Sequence, residues 1–335
     1  MILSRAPLRI TLGGGGTDLK SYYSQYGGFV IAAGIDRYCT ILANRRFYDN
    51  IRLSYSEMEI AESVEQIRHP IFREALKIAD IQKNIEIHSS TDVPSNSGLG
   101  SSSSFTVALI NALHAYKGEY IEKRKLAEEA CHIEIDLLGE PIGKQDQYMA
   151  ALGGIACLTF DKNGDVLVEN LHLDEEVVEE LENNLLFFFS GKERRASDIL
   201  AEQDDKSKQN DMMMLNNLHQ IKDIGLKTRE CLEKGDVDAL GEFLHIHWQL
   251  KKNRSKKMSD SFIDECYDMA RKKGALGGKL MGAGGGGFLM FYCQNGEKYA
   301  VAQAMHKIGL RRERFKIDWD GACVMLNSKE SSHGR

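Results

Sequence analysis

The chain has 335 residues, 42% of them hydrophobic and 27% charged, with a formal net charge of −6. This composition belongs to soluble globular proteins, and at roughly 100–200 residues per domain the length predicts two domains. With this acidic balance nothing global points to nucleic acid or an anionic membrane, so an anionic ligand has to be held by local groups.

Residues 1–16 lack the long apolar run of a signal peptide, and no stretch approaches the roughly 20 apolar residues of a membrane span. Residues 7–12 read as a strand that runs into Gly13, Gly14, Gly15 and Gly16, then Thr17 and Asp18. Four glycines after a strand permit positive φ and close approach of a ligand. A flexible turn is the other reading; Arg9 and Asp18 on either side favour a polar site. Strands are expected at 41–47, 50–55 and 85–88.

Pro94, Ser97, Gly98, Leu99, Gly100, Ser101, Ser102, Ser103 and Ser104 then lead into a predicted helix over 102–117. Free backbone N–H groups and the dipole at such an end favour a phosphate, and serine hydroxyls can reach a metal. A serine N-cap alone does not need Gly98-Leu99-Gly100 before it.

A further helix is predicted over 121–138. At ~100° per residue, Leu126, Ala127, Ala130, Ile133, Leu137 and Leu138 share one arc, and Glu134 falls inside it. An inward carboxylate needs an ion pair, hydrogen bonds or a bound cation. Gly139, Pro141 and Gly143 break this helix, so Asp146 starts a new element, as an N-cap or as a working carboxylate. Two carboxylates across a tight turn suit two jobs: one holds Mg²⁺, the other orients or deprotonates a hydroxyl. Residues 154–160 and 166–171 read as a hairpin about Asn163-Gly164. The polar stretch 174–184 marks the expected boundary between domains over 1–173 and 185–328.

Residues 185–189 read as a buried strand. Lys192, Arg194 and Arg195 follow it, and Ser197 is expected to begin a helix; this suits either a phosphate pocket or a solvated basic loop. Helical stretches are expected over 202–233, 237–251 and 262–273. His245 and His247 sit two apart and face different ways. The basic run Lys251, Lys252, Arg254, Lys256 and Lys257 is taken as solvated surface.

Strand 278–281, loop 282–287, strand 288–293, helix 297–308 and strand 315–319 close the chain, and the tail from Lys329 is expected to fray. The GxGxxG spacing at 282–287 precedes an apolar strand, not a helix, which argues against a dinucleotide fold. The absence of a GxxxxGK[ST] loop and of HRD or DFG patterns excludes a Walker loop and a protein kinase. Seven cysteines without a CxxC pair point to reduced thiols in a cytoplasmic protein.

Pro94-x3-Gly98-Leu99-Gly100-Ser101-Ser102 resembles the phosphate loop of the galactokinase–homoserine kinase–mevalonate kinase (GHMP) family. Ala6-Pro7-Leu8-Arg9 through Thr17-Asp18 is similar to that family's N-terminal motif, and residues 282–287 to its third. The spacing from Glu134 through Gly139, Pro141 and Gly143 to Asp146 resembles the galactokinase branch. The resemblance implies an α+β fold of two domains with the active site between them, and ATP and Mg²⁺ as cofactors. It implies that Pro94 and residues 97–103 wrap the triphosphate, that Glu134 and Ser102 serve Mg²⁺, and that Asp146 is the base beside Arg9. Gly14, Gly15, Gly16, Thr17 and Asp18, with Gly284 and Gly285, would contact the substrate.

Galactokinases carry Gly-Glu-His-Thr-Asp where this chain has Gly14-Gly15-Gly16-Thr17-Asp18. The all-glycine form, with residues 190–197, resembles the branch that phosphorylates D-glycero-D-manno-heptose 7-phosphate at the anomeric C1 hydroxyl. Arg194 and Arg195 would then hold the sugar's own phosphate. An L-fucokinase or other kinase of an unphosphorylated sugar is the rival, and a sugar/nucleotide sensor without turnover is a reading from another class. The expected partners are a sugar phosphate and ATP, without nucleic acid or membrane, in a monomer or homodimer.

Overall fold

The computed structural model describes residues 1–192, 197–255 and 257–328, without the side chains of Ser197 and Asp198; Arg194, Arg195 and Lys256 lie outside that set. In chain order the first half contains β1 (Ile2–Gly13), α1 (Lys20–Tyr26), β2 (Gly28–Arg45), β3 (Ile51–Ser54), β4 (Met58–Ala61), α2 (Pro70–Ile78), β5 (Ile85–Thr91), α3 (Ser101–Lys117), α4 (Lys123–Cys131), α5 (Gln145–Leu152), β6 (Ile155–Phe160) and β7 (Val166–Asn170). The second half contains α6 (Glu175–Asn184), β8 (Leu185–Phe189), α7 (Ser197–Lys208), α8 (Met212–Glu233), α9 (Val237–Lys252), α10 (Ser261–Lys272), β9 (Ala275–Leu280), β10 (Phe288–Cys293), α11 (Lys298–Lys307), β11 (Arg311–Glu313) and β12 (Cys323–Asn327). The fold is α+β, as expected, and contains two sheets.

The long strand β2 organises the first sheet. It pairs β1 along one side; on the other, its first half pairs β6 and its second half β5. Alternation along β2 sends Phe29, Ile31, Ala33 and Ile35 into one core and Val30 and Ala32 into another. The first of these cores also takes Leu240 and Leu244 of α9 and Phe187 and Met290 of the second sheet, so the two sheets share packing. The second sheet runs β11-β8-β10-β9. Leu185 and Phe187 of β8 face the shared core, while Leu186 and Phe188 face α10 and α11. The last strand, β12, returns to pair antiparallel with residues 2–5 of β1.

The polar stretch between the expected domains contains α6, which buries Leu181 and Asn184. Three expectations need correction. Residues 202–233 are two helices, broken at Asn210 with φ +56°, after which Asp211 caps α8 by accepting from Met214 N. The helix expected over 121–138 starts at Lys123 and changes to a π-helical turn over His132–Leu137. Residues 315–319 make one isolated bridge, Ile35 to Ile317. There, Asp36 Oδ1 accepts Lys316 N and Glu182 Oε1 accepts Ile317 N, so carboxylates take the N–H groups that a ladder would use. Among the described residues, no helix is long and apolar enough to cross a membrane.

Candidate active site

A cleft of about 390 Å³ opens where the start of α3, the first glycine loop and the turn before α5 meet the end of α9 and β9. Its first wall is the serine loop. Arg9 N donates to Leu99 O at 3.0 Å and Ser104 Oγ to Pro7 O at 2.7 Å, tying loop and helix to β1. Gly98 has φ +84°, and a Cβ there would lie 2.6 Å from Met281 O, so glycine lets this loop touch the third one. No described side chain caps α3, which leaves its first N–H groups and its dipole toward the cleft. Asn96, Gly98, Gly100, Ser101, Ser102 and Ser103 line this wall. Pro94 is exposed, Ser97 is buried and Leu99 packs in the shared core, so these three do not line it.

The π-helical turn delivers Glu134, which is 1% exposed. Such turns recur at functional sites because the extra residue redirects a side chain. Ser102 Oγ donates to Oε1 at 3.0 Å and Gln147 Nε2 to Oε2 at 2.7 Å. Burial pushes the carboxyl up to about 7, against the opposing hydrogen bonds of Ser103, Gln147 and Ser102. Beside it, the buried Oε1 of Gln147 has no partner among the described residues. A buried acid met only by neutral donors, with an orphan amide oxygen and a serine hydroxyl beside it, fits a small hard cation. Mg²⁺ needs only one or two protein carboxylates, completed by phosphate and water oxygens; among the described residues no cluster of three or more His, Cys, Asp or Glu occurs.

Asp146 stands in the first turn of α5. Arg9 grips it with two bonds, Nε to Oδ1 and Nη2 to Oδ2, each 2.7 Å, and gives Nη1 to Gly98 O at 2.7 Å. One guanidinium therefore sets the carboxylate relative to the serine loop. Asp18, also buried, accepts from Gly16 N at 3.0 Å, Gln145 N at 3.3 Å and Gln145 Nε2 at 3.1 Å. Burial, and then the Asp146 charge, raise its pKa. Gly15 and Gly16 line the cleft. Gly14 instead backs onto Phe29 O, and Thr17 Oγ1 lies 2.8 Å from the carbonyls of Gly14 and Phe29, shaping the loop from behind.

A basic wall was missed from the sequence. Lys251 and Arg254 are each only 6% exposed and line the cleft with Lys279 and His247, which overturns the solvated-surface reading for these two residues, while Lys257 is exposed as expected. The signal was present: Val237, Leu240, Gly241, Leu244, His247, Trp248 and Lys251 form one buried face of α9 at helical spacing. Lys251 Nζ donates to Leu280 O at 2.7 Å and Gly282 O at 2.5 Å. Arg254 donates to Asn217 Oδ1, Gln203 Oε1 and Gly15 O at 3.0, 3.0 and 3.1 Å. Lys279 Nζ reaches Leu12 O at 3.2 Å and His247 Nδ1 at 3.4 Å. Burial lowers Lys279 to about 7 and Arg254 to about 10, and holds Lys251 and His247 well below their ordinary values; mutual repulsion adds to it for Lys251, His247 and Lys279.

In the third loop, Gly282 and Ala283 line the cleft. Gly284 and Gly285 turn away, against Met258: a Cβ on Gly284 would meet its sulfur at 2.2 Å, and Gly285 N donates to its carbonyl at 2.9 Å. The loop leads into β10, as its apolar sequel implied. Lys192 is paired with Asp260, and the expected phosphate ligands Arg194 and Arg195 fall outside the described residues.

Residues 66–154 match the model of the GHMP kinase N-terminal domain, and residues 228–309 that of the GHMP kinase C-terminal domain. A D-glycero-alpha-D-manno-heptose 7-phosphate kinase of Campylobacter jejuni is 33% identical over 318 residues, covering 91% of this chain and 93% of the relative. A galactokinase of Pyrococcus furiosus is 25% identical, covering 95% of each. The crystal structure of a D-glycero-D-manno-heptose 1-phosphate kinase from Bacteroides thetaiotaomicron superposes with a TM-score of 0.81 at 26% identity, over 98% of this chain and 100% of that one.

Proposed function

This chain is a member of the GHMP kinase family, and from that premise we propose that it transfers the γ-phosphoryl group of ATP to the anomeric C1 hydroxyl of D-glycero-D-manno-heptose 7-phosphate. The observation that carries the reading is the Arg9–Asp146 pair, held bidentate at the uncapped start of α3. Asn96, Gly98, residues 100–103 and the free N–H groups of α3 suit the triphosphate. Glu134 and Ser102 would hold Mg²⁺, which when bound supplies charge neutralisation between the phosphates. Asp146 takes or steers the proton of the acceptor hydroxyl, while Arg9 fixes the carboxylate in line with the serine loop. Asp18, Gln145 and the backbone of Gly15 and Gly16 orient the sugar hydroxyls. Rate then comes mostly from positioning and preorganised charge. In this reading residues 1–173 supply the nucleotide and the base, and residues 185–328 supply the wall that faces the acceptor.

The heptose phosphate acceptor is supported by the names of the Campylobacter and Bacteroides relatives and by the cationic wall, which a neutral sugar does not require. An ATP-consumption screen against heptose 7-phosphate, free heptose, L-fucose, galactose and mevalonate tests it. The heptose 7-phosphate should give the highest kcat/KM. A higher value for any unphosphorylated sugar refutes the assignment.

A further inference from the structure

Three cations stand on one wall of the cleft without a carboxylate. Lys279, Lys251 and Arg254 are 3%, 6% and 6% exposed, and among the described residues none makes an ion pair. Arg9 is already matched by Asp146. Asp18 is the acid that acts on Arg254, through space. Burying unpaired cations is unfavourable, and folded proteins keep such an arrangement where a ligand supplies the opposite charge.

The donors are not all spent. A guanidinium carries five N–H groups and Arg254 uses three; an ammonium carries three, and Lys279 has one bond at 3.2 Å and a long contact at 3.4 Å. Carbonyls of Leu12, Gly15, Leu280 and Gly282 orient these groups before any ligand arrives, and an anion bound among them would favour the charged form that burial disfavours. Arg254 and Lys279 meet the start of the first glycine loop through Gly15 O and Leu12 O, while Lys251 reaches Gly282, where a Cβ would lie 2.5 Å from Gly98 of the serine loop. The triphosphate has the uncapped start of α3 as an anion site of its own. Lys192, the described basic residue of the segment after β8, is neutralised by Asp260.

We propose that Lys279, Lys251 and Arg254 form a preorganised subsite for a phosphate group carried by the acceptor sugar. This rests on the reading that the acceptor is a sugar phosphate. A phosphate monoester brings about −1.5 to −2 charges and three acceptor oxygens, which match the three cations and their free donors. It also explains why the cost of burying them is tolerated: the ligand neutralises the wall as it binds.

Lys279→Met and Lys279→Gln, compared with the wild type, test the subsite. Calorimetry would measure binding of D-glycero-D-manno-heptose 7-phosphate, of the unphosphorylated heptose, and separately of Mg²⁺ with a non-hydrolysable ATP analogue. We expect both variants to bind the sugar phosphate at least about tenfold more weakly, since a charge-assisted bond of ~1.5–3 kcal/mol is lost. Their nucleotide affinity should stay within about twofold of wild type, and their preference for the phosphorylated over the free sugar should collapse. Melting temperatures report that the variants fold. A wild-type preference for the phosphate that survives in both variants overturns the subsite alone. A loss confined to the nucleotide assigns the cations to ATP and also overturns it. A wild type that binds the free heptose as tightly as its phosphate overturns the acceptor reading and the subsite together.

Discussion

Arg9 spends two of its donors on Asp146 and a third on Gly98, so a change at Asp146 reaches the serine loop through one side chain. Asp146→Asn keeps the shape and removes the charge. Turnover should fall by roughly 10²-fold or more while Mg·ATP still binds, because the proton acceptor is lost and the nucleotide contacts are not. Near-normal kcat in a coupled assay would reduce Asp146 to a helix-terminal contact. Lys279 makes a second prediction, about pH. Its folded pKa lies near 7, below the ordinary lysine value of 10.5, through burial and the charges of Arg254 and Arg9. From pH 7 to about 10 the unfolded chain therefore binds more protons than the native one at this site, and stability rises with pH. Lys279→Met removes that term. In ligand-free melts the variant should exceed the wild type at pH 7, and the margin should shrink as pH approaches 10. A margin that grows with pH would contradict the assigned cause.

Two short elements set the acid side of the cleft. The π-helical turn His132–Leu137 turns Glu134 inward beside Ser102. Glu134→Gln should raise KM for Mg·ATP and blunt the Mg²⁺ dependence; an unchanged magnesium titration would remove the ligand role. The turn before α5 passes Gly143, where a Cβ would lie 1.9 Å from Asp18 Oδ2. Gly143→Ala should thus displace Asp18 and raise KM for the sugar severalfold more than KM for ATP, as steady-state kinetics would read. Glu134 was legible in the sequence because one acid on an apolar helical face is conspicuous. Lys251 lies on the buried face of α9 at the same spacing, yet the neighbouring Lys252 and Arg254 made the run look like solvated surface. Residues 28–35 gave no alternation to detect, since this half of β2 is buried on both faces and reads as a continuous apolar run. The irregular path of 315–319 depends on Asp36 and Glu182, more than 100 residues away, which no local pattern reports.

At the scale of the molecule, one core takes side chains from both sheets, Leu8 and Ile31 from the first and Phe187 and Met290 from the second. Calorimetric unfolding should accordingly give one cooperative transition rather than two, and ligands spanning the cleft should raise it. At a hundredfold excess over Kd the gain is about 2.7 kcal/mol per ligand. Two resolved transitions would mean that the sheets unfold independently. The closing strand β12 has a different consequence, for the order of synthesis. Its partner, residues 2–5 of β1, leaves the ribosome roughly 300 residues before residues 323–327 emerge. At ~5–20 residues per second that interval is on the order of 15–60 s. Throughout it the outer edge of β1 offers open backbone donors and acceptors to any neighbouring nascent chain. Translation speed and chaperone cover, rather than equilibrium stability, then decide how much of the newborn chain reaches the native state.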